Sequence, residues 1–204
     1  MKAEIDKLSS ISCLVNNAGV TYPYPDAFCS GPELTTEFCQ KIITINAIAV
    51  TKVTRLVLPK LVNDALPFPG VNRFIINMGS ISGLLTVPYF SVYGATKAYV
   101  VSLTRGLSYE LKDTCVRVQA FTPSLISTKM TGIEKASTFV PSPMTFVESA
   151  LSMLGVECIG CGYYPHAQFY QIAKVLPMSW VCSYMTRRML HSQTRHRLNI
   201  EKNL

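Results

Sequence analysis

Three short apolar runs, each ending at a turn and followed by a helical segment, constrain the fold of this chain most. The runs are 11–15, 73–78 and 116–121. Their length and the Asn, Gly and Pro residues that flank them are typical of buried strands. A fourth strand is predicted over 160–164. Strands that alternate with helices in this way indicate an α/β fold, a doubly wound parallel sheet.

Helical spacing of apolar residues marks the segments between the predicted strands. It covers 33–62, the region from Tyr93 to Leu111, and 145–154. We predict that 124–142 is irregular apart from a short helix, and such a segment after a strand end suits a substrate lid. The apolar residues in and just after it favour a lipid-like substrate, although they are equally compatible with core packing.

Ser80 ends the second predicted strand, and Tyr93 and Lys97 lie one turn apart on the helix that follows. Tyrosine is a weak base at pH 7 because its free pKa is about 10, and a nearby ammonium favours the phenolate. A hydroxyl such as that of Ser80 can hold a carbonyl or alcohol oxygen beside the phenol. The three residues suit interconversion of a ketone and an alcohol, with hydride from a cofactor. Taken alone, a Tyr-x-x-x-Lys pair is more often a core tyrosine and a solvated lysine.

The composition excludes several classes of protein. Apolar residues make up 49% of the 204 residues and charged residues 15%, which argues against disorder. No stretch long enough to cross a bilayer is uninterruptedly apolar, so we predict no transmembrane helix. Seven cysteines, an odd number, fit reduced thiols better than a disulfide framework. Cys158 and Cys161 form a lone CxxC, and without a second pair of ligands we predict no metal site.

Positive charge is concentrated at the carboxyl terminus. Residues 174–204 hold six Lys or Arg and one acid, Glu201, and supply +5 of the net charge of +7. We predict no nucleic-acid binding, because no stacking platform or groove-reading helix is visible. The basic residues follow the apolar run 175–181, which contains Trp180, and this order suits contact with a membrane surface. A solvated basic tail explains the same residues equally well.

Several motifs occur together and in a fixed order. They are Asn16-Asn17-Ala18-Gly19, Asn46, Gly79-Ser80, Tyr93-Gly94-Ala95-Thr96-Lys97 and Pro123. On these motifs the chain resembles the short-chain dehydrogenase/reductase family from Ser12 to about Tyr164. Residues 74–83 and 121–130 are similar to the branch that contains the 17-beta-hydroxysteroid dehydrogenases of types 3 and 12, the latter also being very-long-chain 3-oxoacyl-CoA reductases.

The resemblance implies a Rossmann-type fold and a role for each residue of the motifs. Tyr93 would exchange the proton with the substrate, and Lys97 would lower the Tyr93 pKa and hold the nicotinamide ribose. Ser80 would orient the substrate oxygen, and Asn46 would anchor a water in the proton relay. The residues implied to bind the cofactor are Asn17, Ala18, Gly19, Asn46, Tyr93, Lys97, Pro123 and Thr128.

The resemblance also implies ligands and partners. The cofactor would be NADP(H), with NAD(H) not excluded, and the reaction would reduce a ketone of a steroid or a 3-oxoacyl-CoA to the alcohol. The helices at 33–62 and 89–112 would form a homodimer. The protein would lie at the cytosolic face of the endoplasmic reticulum membrane, with its basic tail on the membrane surface. The alternative for this partial chain on its own is the cytosol.

One departure from the family alters these expectations. The family's first strands and its Gly-rich turn precede the Asn-Asn-Ala-Gly strand, whereas only eleven residues precede Ser12 here. The resemblance therefore implies a partial dinucleotide-binding and catalytic domain over 1–164 and a helical basic tail over 165–204. We expect weak or absent cofactor binding by this chain alone, and an exposed strand edge. The alternative function is a catalytically inactive module that pairs through its helices.

Overall fold

A single four-stranded parallel sheet organises the chain. The computed structural model describes residues 2–63 and 71–201, with side chains through Thr194. Its strands are β1 (Cys13–Asn16), β2 (Arg73–Met78), β3 (Val116–Phe121) and β4 (Ile159–Gly160). They lie side by side in chain order, and each neighbouring pair is parallel. Parallel neighbours need a crossover between them, which the intervening helices provide. The predicted α/β fold with a parallel sheet is confirmed.

Helices connect the strands and follow the last of them. They are α1 (Lys2–Asp6), α2 (Thr36–Ile43), α3 (Ala49–Asn63), α4 (Ser91–Glu110), α5 (Pro143–Ser152), α6 (Tyr164–Val175) and α7 (Met178–Glu201). A π-helical turn over Thr44–Ile48 joins α2 to α3 without a break. The predicted helix over 33–62 is therefore one element with a wider turn in its middle. It begins after Thr35, whose side chain accepts a hydrogen bond from the Phe38 N–H.

Several predicted elements differ from the structure. The first strand covers Cys13–Asn16 instead of 11–15. The helix predicted over 145–154 covers Pro143–Ser152, because the Ser142 side chain caps its start by accepting from Thr145 N.

The fourth strand covers Ile159–Gly160 instead of 160–164, because Gly162 adopts a left-handed φ of 70° and α6 begins two residues later. Pro165 in the first turn of α6 suits that start. Residues 124–142 contain turns and an isolated bridge between Ser137 and Val140 in place of the short helix. The sequence also predicts a loop over 63–71, where Pro67, Pro69 and Gly70 occur, and most of it lies outside the described residues.

The sheet is covered on both faces. Successive residues of a strand point to opposite sides, so Ile75 and Ile76 of β2 enter different clusters. The cluster beneath α3 and α4 is Val57, Leu61, Ile75, Leu111, Val116 and Val118. The cluster beneath α5 is Ile76, Phe121, Phe146 and Ala150. Each such side chain stabilises the fold by about 1.5–3 kcal/mol when fully buried, which explains why these strands are apolar on both sides.

The continuous helix Thr36–Asn63 is long and apolar enough, by length and composition, to cross a membrane. No such helix was expected from the sequence, because Lys and Arg interrupt its apolar run. In the structure, Ile42 and Leu61 on this helix are fully buried. Leu61 packs with Ile75 and Val118 of the sheet. The apolar face of this helix is therefore core surface of the sheet domain.

Candidate active site

The Ser80 turn forms the floor of the candidate site. Ser80 follows β2 and caps the 3₁₀ turn Ile81–Gly83, its Oγ accepting from Ser82 N at 3.2 Å and lying 2.8 Å from Ser82 Oγ. Gly83 allows this turn to touch α4, because a Cβ there would lie 2.6 Å from the carbonyl carbon of Lys97. The glycine therefore brings Ser80 against the helix that carries Tyr93 and Lys97.

Lys97 is a buried cation beside Tyr93. Its side chain is 6% exposed, and Nζ donates to the carbonyl oxygen of Met78 at 2.8 Å. Nζ also lies 5.7 Å from the centroid of the Tyr93 ring. Loss of hydration on burial lowers the pKa of Lys97 to about 8. At neutral pH the ammonium form still predominates, so Lys97 places a positive charge next to the phenol.

Tyr93 lies in the first turn of α4, half-buried, with Phe90 packed edge-on at 6.2 Å between ring centroids. Burial raises the pKa of its phenol, and a hydrogen bond with the Ser80 side chain acts in the opposite direction. Desolvation of the phenolate outweighs this hydrogen bond, so the pKa of Tyr93 lies above its ordinary value. Tyr93 is therefore protonated at neutral pH, the state that can give a proton to a ketone oxygen.

Asn46 ties the loop after β1 to α4. It lies in the π-helical turn, 1% exposed. Its Oδ1 accepts from Val20 N and its Nδ2 donates to Val20 O, both at 2.8 Å, and Nδ2 also donates to Thr96 Oγ1 at 3.2 Å. Both side-chain donors are thus engaged, so a water on this amide group would be held through its oxygen. The geometry makes Asn46 the link between the predicted cofactor turn and the Tyr93 helix.

Gly19 lies beside two residues of the predicted site. A Cβ at Gly19 would lie 3.4 Å from Asn46 Oδ1 and 3.5 Å from Lys97 Nζ, so its backbone runs directly past both side chains. Asn17 and Ala18, the preceding residues of the turn, are exposed to solvent. The structure therefore brings the end of the 17–19 turn to Lys97 and leaves its other two residues open to a ligand.

Pro123 and Thr128 are positioned differently. The Pro123 carbonyl accepts from Ile81 N at 2.9 Å, which joins the end of β3 to the Ser80 turn. Thr128 Oγ1 lies 3.4 Å from both Ile126 O and Thr131 Oγ1. These contacts hold Thr128 within its own turn and do not join it to Ser80 or Tyr93.

Tyr22 supports the site and was missed in the sequence. It is 3% exposed, and its hydroxyl accepts from Val92 N at 3.0 Å. Its ring stacks on Phe90 at 5.1 Å. Phe90 occupies the N-cap position of α4 and supplies no side-chain acceptor, so the Tyr22 hydroxyl satisfies an N–H that would otherwise lack a partner. No local signal in the Pro-rich loop around Tyr22 reveals this role.

A buried polar network lies behind the site, at the ends of β1 and β2. Asn16 Nδ2 donates to Thr54 Oγ1 at 2.9 Å and to Asn77 Oδ1 at 2.8 Å. Asn77, fully buried, donates in turn to Thr104 Oγ1 at 2.8 Å. The network joins two strands to α3 and α4, and it fixes where the 17–19 turn leaves the sheet.

The sequence matches a known family over most of the strands and the candidate site. The family model described as short chain dehydrogenase matches residues 1–137, more than half of the chain. The chain belongs to the short-chain dehydrogenase family. The match covers β1 to β3 together with Asn46, Ser80, Tyr93 and Lys97.

Similar proteins refine the placement of this short-chain dehydrogenase within the family. The very-long-chain 3-oxoacyl-CoA reductase of Mus musculus is 40% identical over 167 residues, 82% of this chain and 51% of the mouse protein. The Homo sapiens protein of the same name is 36% identical over 192 residues, 94% of this chain and 59% of the human protein. The predicted branch is confirmed by this likeness. The chain spans little more than half the length of the curated relatives it matches.

A solved structure gives the same result for the fold. A short-chain dehydrogenase from Sphingobium yanoikuyae, in complex with NADPH, superposes with a TM-score of 0.64 at 29% identity. The superposition covers 78% of this chain and 59% of that chain. The four-stranded sheet described above is thus part of the sheet architecture of this family.

Proposed function

We propose that this protein reduces the ketone of a lipid-like substrate, a 3-oxoacyl-CoA or a steroid, to the alcohol with a nicotinamide cofactor. The observation that carries the proposal is the buried ammonium of Lys97, 5.7 Å from the Tyr93 ring at the carboxyl edge of a parallel sheet. Open α/β sheets bind their ligands at that edge. The names of the mammalian relatives support a 3-oxoacyl-CoA as substrate.

Three residues, Tyr93, Ser80 and Lys97, then each have a defined part in the reduction. The bound cofactor supplies the hydride. Tyr93, which is protonated at neutral pH, donates its phenolic proton to the ketone oxygen as negative charge develops there. Ser80 Oγ donates a hydrogen bond to the same oxygen. The Lys97 ammonium stabilises the phenolate that the transfer leaves on Tyr93.

Lys97 also fits the ribose of a nicotinamide nucleotide. An ammonium has three N–H donors, and among the described residues Met78 O accepts one of them. Gly19 presents only backbone to Nζ and leaves space above it. We propose NADP(H), as in the Sphingobium yanoikuyae relative, with Asn17, Ala18 and Gly19 on its adenosine side. Pro123 to Thr128 would receive the nicotinamide end, and the reported NADPH complex supports a dinucleotide of this type.

Segment 124–142 and the start of α5 support an apolar substrate. Met130, Phe139 and Met144 are 53%, 65% and 68% exposed. Phe146, which also suggested a lipid in the sequence, is 3% exposed and packs with Ile76 in the core. Core packing therefore accounts for Phe146, whereas substrate contact is the interpretation that we keep for Met130, Phe139 and Met144. The exposed members form the surface that we assign to the acyl or steroid body.

NADPH consumption with a ketone substrate tests the proposal. The purified protein is mixed with NADPH and a long-chain 3-oxoacyl-CoA or a steroid ketone, and the loss of NADPH absorbance is followed. Tyr93→Phe should lower turnover by about 10²–10⁴-fold, whereas Tyr109→Phe, the same change at a 78% exposed position of α4, should leave it unchanged. Equal rates in wild type and Tyr93→Phe would contradict the assignment. NADPH binding, followed by fluorescence, tests separately the expectation of weak affinity.

The outer faces of the α2–α3 helix and α4 are proposed to form a homodimer. Ile48, Leu56 and Tyr99 on these helices are between 37% and 43% exposed, and Tyr99 Oη lies 2.7 Å from Thr51 Oγ1 on the facing helix. Light scattering after gel filtration tests the idea. Leu56→Lys should give a monomer, and Val147→Lys, at an exposed position of α5, should leave a dimer. A monomeric wild type would contradict it.

The carboxyl-terminal helices are proposed to contact an anionic membrane surface. Ala173, Val181 and Met185 of α6 and α7 pack on Ile81 and Leu85. Beside this packed face, α7 carries the exposed apolar residues Trp180 and Tyr184, 67% and 52% exposed, and then the exposed Arg187 and Arg188. This order of aromatic and basic residues on one face is typical of helices that lie at a lipid interface. The side chains of Arg195 and Arg197, and Lys202, lie outside the described residues.

Trp180 is the chain's single tryptophan and therefore a built-in reporter of this contact. With vesicles of phosphatidylcholine and phosphatidylserine, we expect a blue shift of its emission and flotation of the protein. Arg187→Gln with Arg188→Gln should weaken both, whereas Arg117→Gln, at an exposed position of β3, should not. Flotation that is independent of the anionic lipid and of these arginines would contradict the proposal.

A further inference from the structure

His166 is a fully buried histidine whose two ring nitrogens contact two distant points of one segment. It lies in the first turn of α6 and is 1% exposed. Its Nδ1 is 3.2 Å from the backbone nitrogen of Ser124, and its Nε2 is 3.2 Å from the carbonyl oxygen of Phe139. Ser124 begins segment 124–142, and Phe139 lies near its end. One side chain thus joins both ends of the irregular segment that follows β3.

The partners assign the tautomer of the ring. The Ser124 backbone N–H, which contacts Nδ1, can only donate, so Nδ1 must be the unprotonated, accepting nitrogen. The Phe139 carbonyl can only accept, so Nε2 must carry the proton. A neutral ring with its proton on Nε2 satisfies both contacts, and neither the other tautomer nor the imidazolium does. Both hydrogen bonds therefore require the same tautomer, and a change of tautomer breaks both of them.

The ring is held rigidly by its neighbours. Tyr163 packs edge-on at 5.1 Å between centroids, and its hydroxyl donates to Thr138 O at 3.1 Å, a second contact with the same end of the segment. Phe146 of the core lies 6.5 Å from the ring. These contacts fix the imidazole to the sheet domain through α5 and α6. Because the ring is fixed, its two hydrogen bonds also hold segment 124–142 in place.

The contact leads directly to the candidate site. Ser124 follows Pro123, and the Pro123 carbonyl accepts from Ile81 N in the turn that begins at Ser80. The segment beyond Ser124 carries Thr128 and the exposed Met130 and Phe139 side chains. We propose that His166 is a positioning residue that fixes segment 124–142 relative to the Ser80 turn. That the segment binds substrate rests on the proposed function. That His166 holds the segment rests on the contacts alone.

Amide hydrogen exchange measured by mass spectrometry tests the positioning directly. His166→Phe keeps a ring between Tyr163 and Phe146 but removes both nitrogens. It should raise exchange in peptides from 124–142 by about fivefold to tenfold, as expected for lost hydrogen bonds, with β2 and β3 unchanged. His166→Gln, which keeps one donor and one acceptor, should give a smaller increase. His191→Phe, the same change at an exposed position, is the control and should have no effect.

A second measurement does not depend on stability. Nitrogen NMR of the labelled imidazole at neutral pH should give one unprotonated Nδ1 signal and one protonated Nε2 signal for His166. A protonated Nδ1 would overturn the proposal. Unchanged exchange of 124–142 in His166→Phe would overturn it as well, and so would an equal rise throughout β2 and β3.

Kinetics separate this inference from the proposed function. In the ketone reductase assay, His166→Phe should raise KM several-fold and change kcat less, whereas Tyr93→Phe should lower kcat by about 10²–10⁴-fold and change KM little. If wild type and Tyr93→Phe are equally inactive, the proposed function fails and the exchange result still decides the positioning role. If the wild type is active and His166→Phe keeps its KM, the positioning of the substrate segment by His166 is refuted.

Discussion

The residues proposed for proton transfer and those proposed for substrate contact lie in opposite physical surroundings. Lys97 and Asn46 are 6% and 1% exposed, and their polar atoms bond to three other elements of the fold. Met130 and Phe139 are more than half exposed and belong to a segment without regular structure. A mutation in the first region should change the chemistry, and one in the second should change which molecule is accepted.

The largest effect expected from this contrast is that of Tyr93→Phe. Removing the phenolic hydroxyl removes the proton donor, and general acid catalysis contributes about 10²–10⁴-fold to a rate. We expect kcat for ketone reduction to fall by about that factor, while KM stays close to the wild-type value. Stopped-flow or steady-state assays with NADPH measure both constants. A rise in KM with unchanged kcat would place Tyr93 in the substrate-contact region and break the comparison.

Lys97→Met should separate activity from stability. We expect kcat to fall by about 10²-fold, because the charge that stabilises the phenolate is lost. Removing the buried ammonium stabilises the fold, and losing its hydrogen bond to Met78 O destabilises it. Each change contributes about 1–3 kcal/mol to the free energy of unfolding, with opposite signs. The free energy of unfolding should therefore stay within about 1 kcal/mol of wild type in urea titrations. A much larger loss of stability would mean that Lys97 is chiefly a structural residue.

The pH dependence of stability gives a third test. The pKa of Lys97 is about 8 in the folded chain and 10.5 in its unperturbed state, so the unfolded chain binds more protons between these values. The lysine's contribution to stability should therefore rise with pH in this window, by at most about 1.4 kcal/mol per pH unit. The difference in unfolding free energy between wild type and Lys97→Met, measured as a function of pH, gives the contribution of this lysine. A difference that falls with pH would contradict a depressed pKa.

Phe139→Ser should have the smallest effect, and it tests the exposed region. The side chain is 65% exposed, so the free energy of unfolding should change by about 0.5 kcal/mol or less. We expect KM for a long-chain 3-oxoacyl-CoA to rise a few-fold and KM for a short-chain one to stay constant. Tyr109→Ser, which removes an exposed aromatic side chain from α4, is the control. An equal effect on both chain lengths would argue against a role in binding the acyl chain.

Local patterns were enough to predict the central sheet. Strands β2 and β3 are short, predominantly apolar runs between turn residues, and both begin and end where predicted. The short strand β4 could not be located in this way, because two residues carry no periodicity and the left-handed Gly162 ends the strand. Its position depends on pairing with Ala120 and Phe121, about forty residues earlier.

The same limit applies to the candidate site. Ser80, Tyr93 and Lys97 lie close in sequence and form a motif, so their proximity could be predicted. Tyr22 and His166 act on Val92 and Ser124, which are 70 and 42 residues away. Neither has a neighbour in sequence that suggests its role. Only the crossover geometry of the sheet brings such pairs together.

The π-helical turn Thr44–Ile48 makes the chain sensitive to a change in length at this point. Such a turn holds one residue more than an α-helical turn needs, and the extra residue lies in the turn that presents Asn46 to Val20 and Thr96. Deleting a single residue here would restore an α-helix and leave α2 in nearly the same rotation relative to α3, because the wide turn only absorbs the extra residue. Ile42 and Leu61, both fully buried, would still face the interior together, but the turn that presents Asn46 would be lost. Homologous chains aligned with a gap in this turn should therefore keep the packing of α2 and lack these contacts of Asn46.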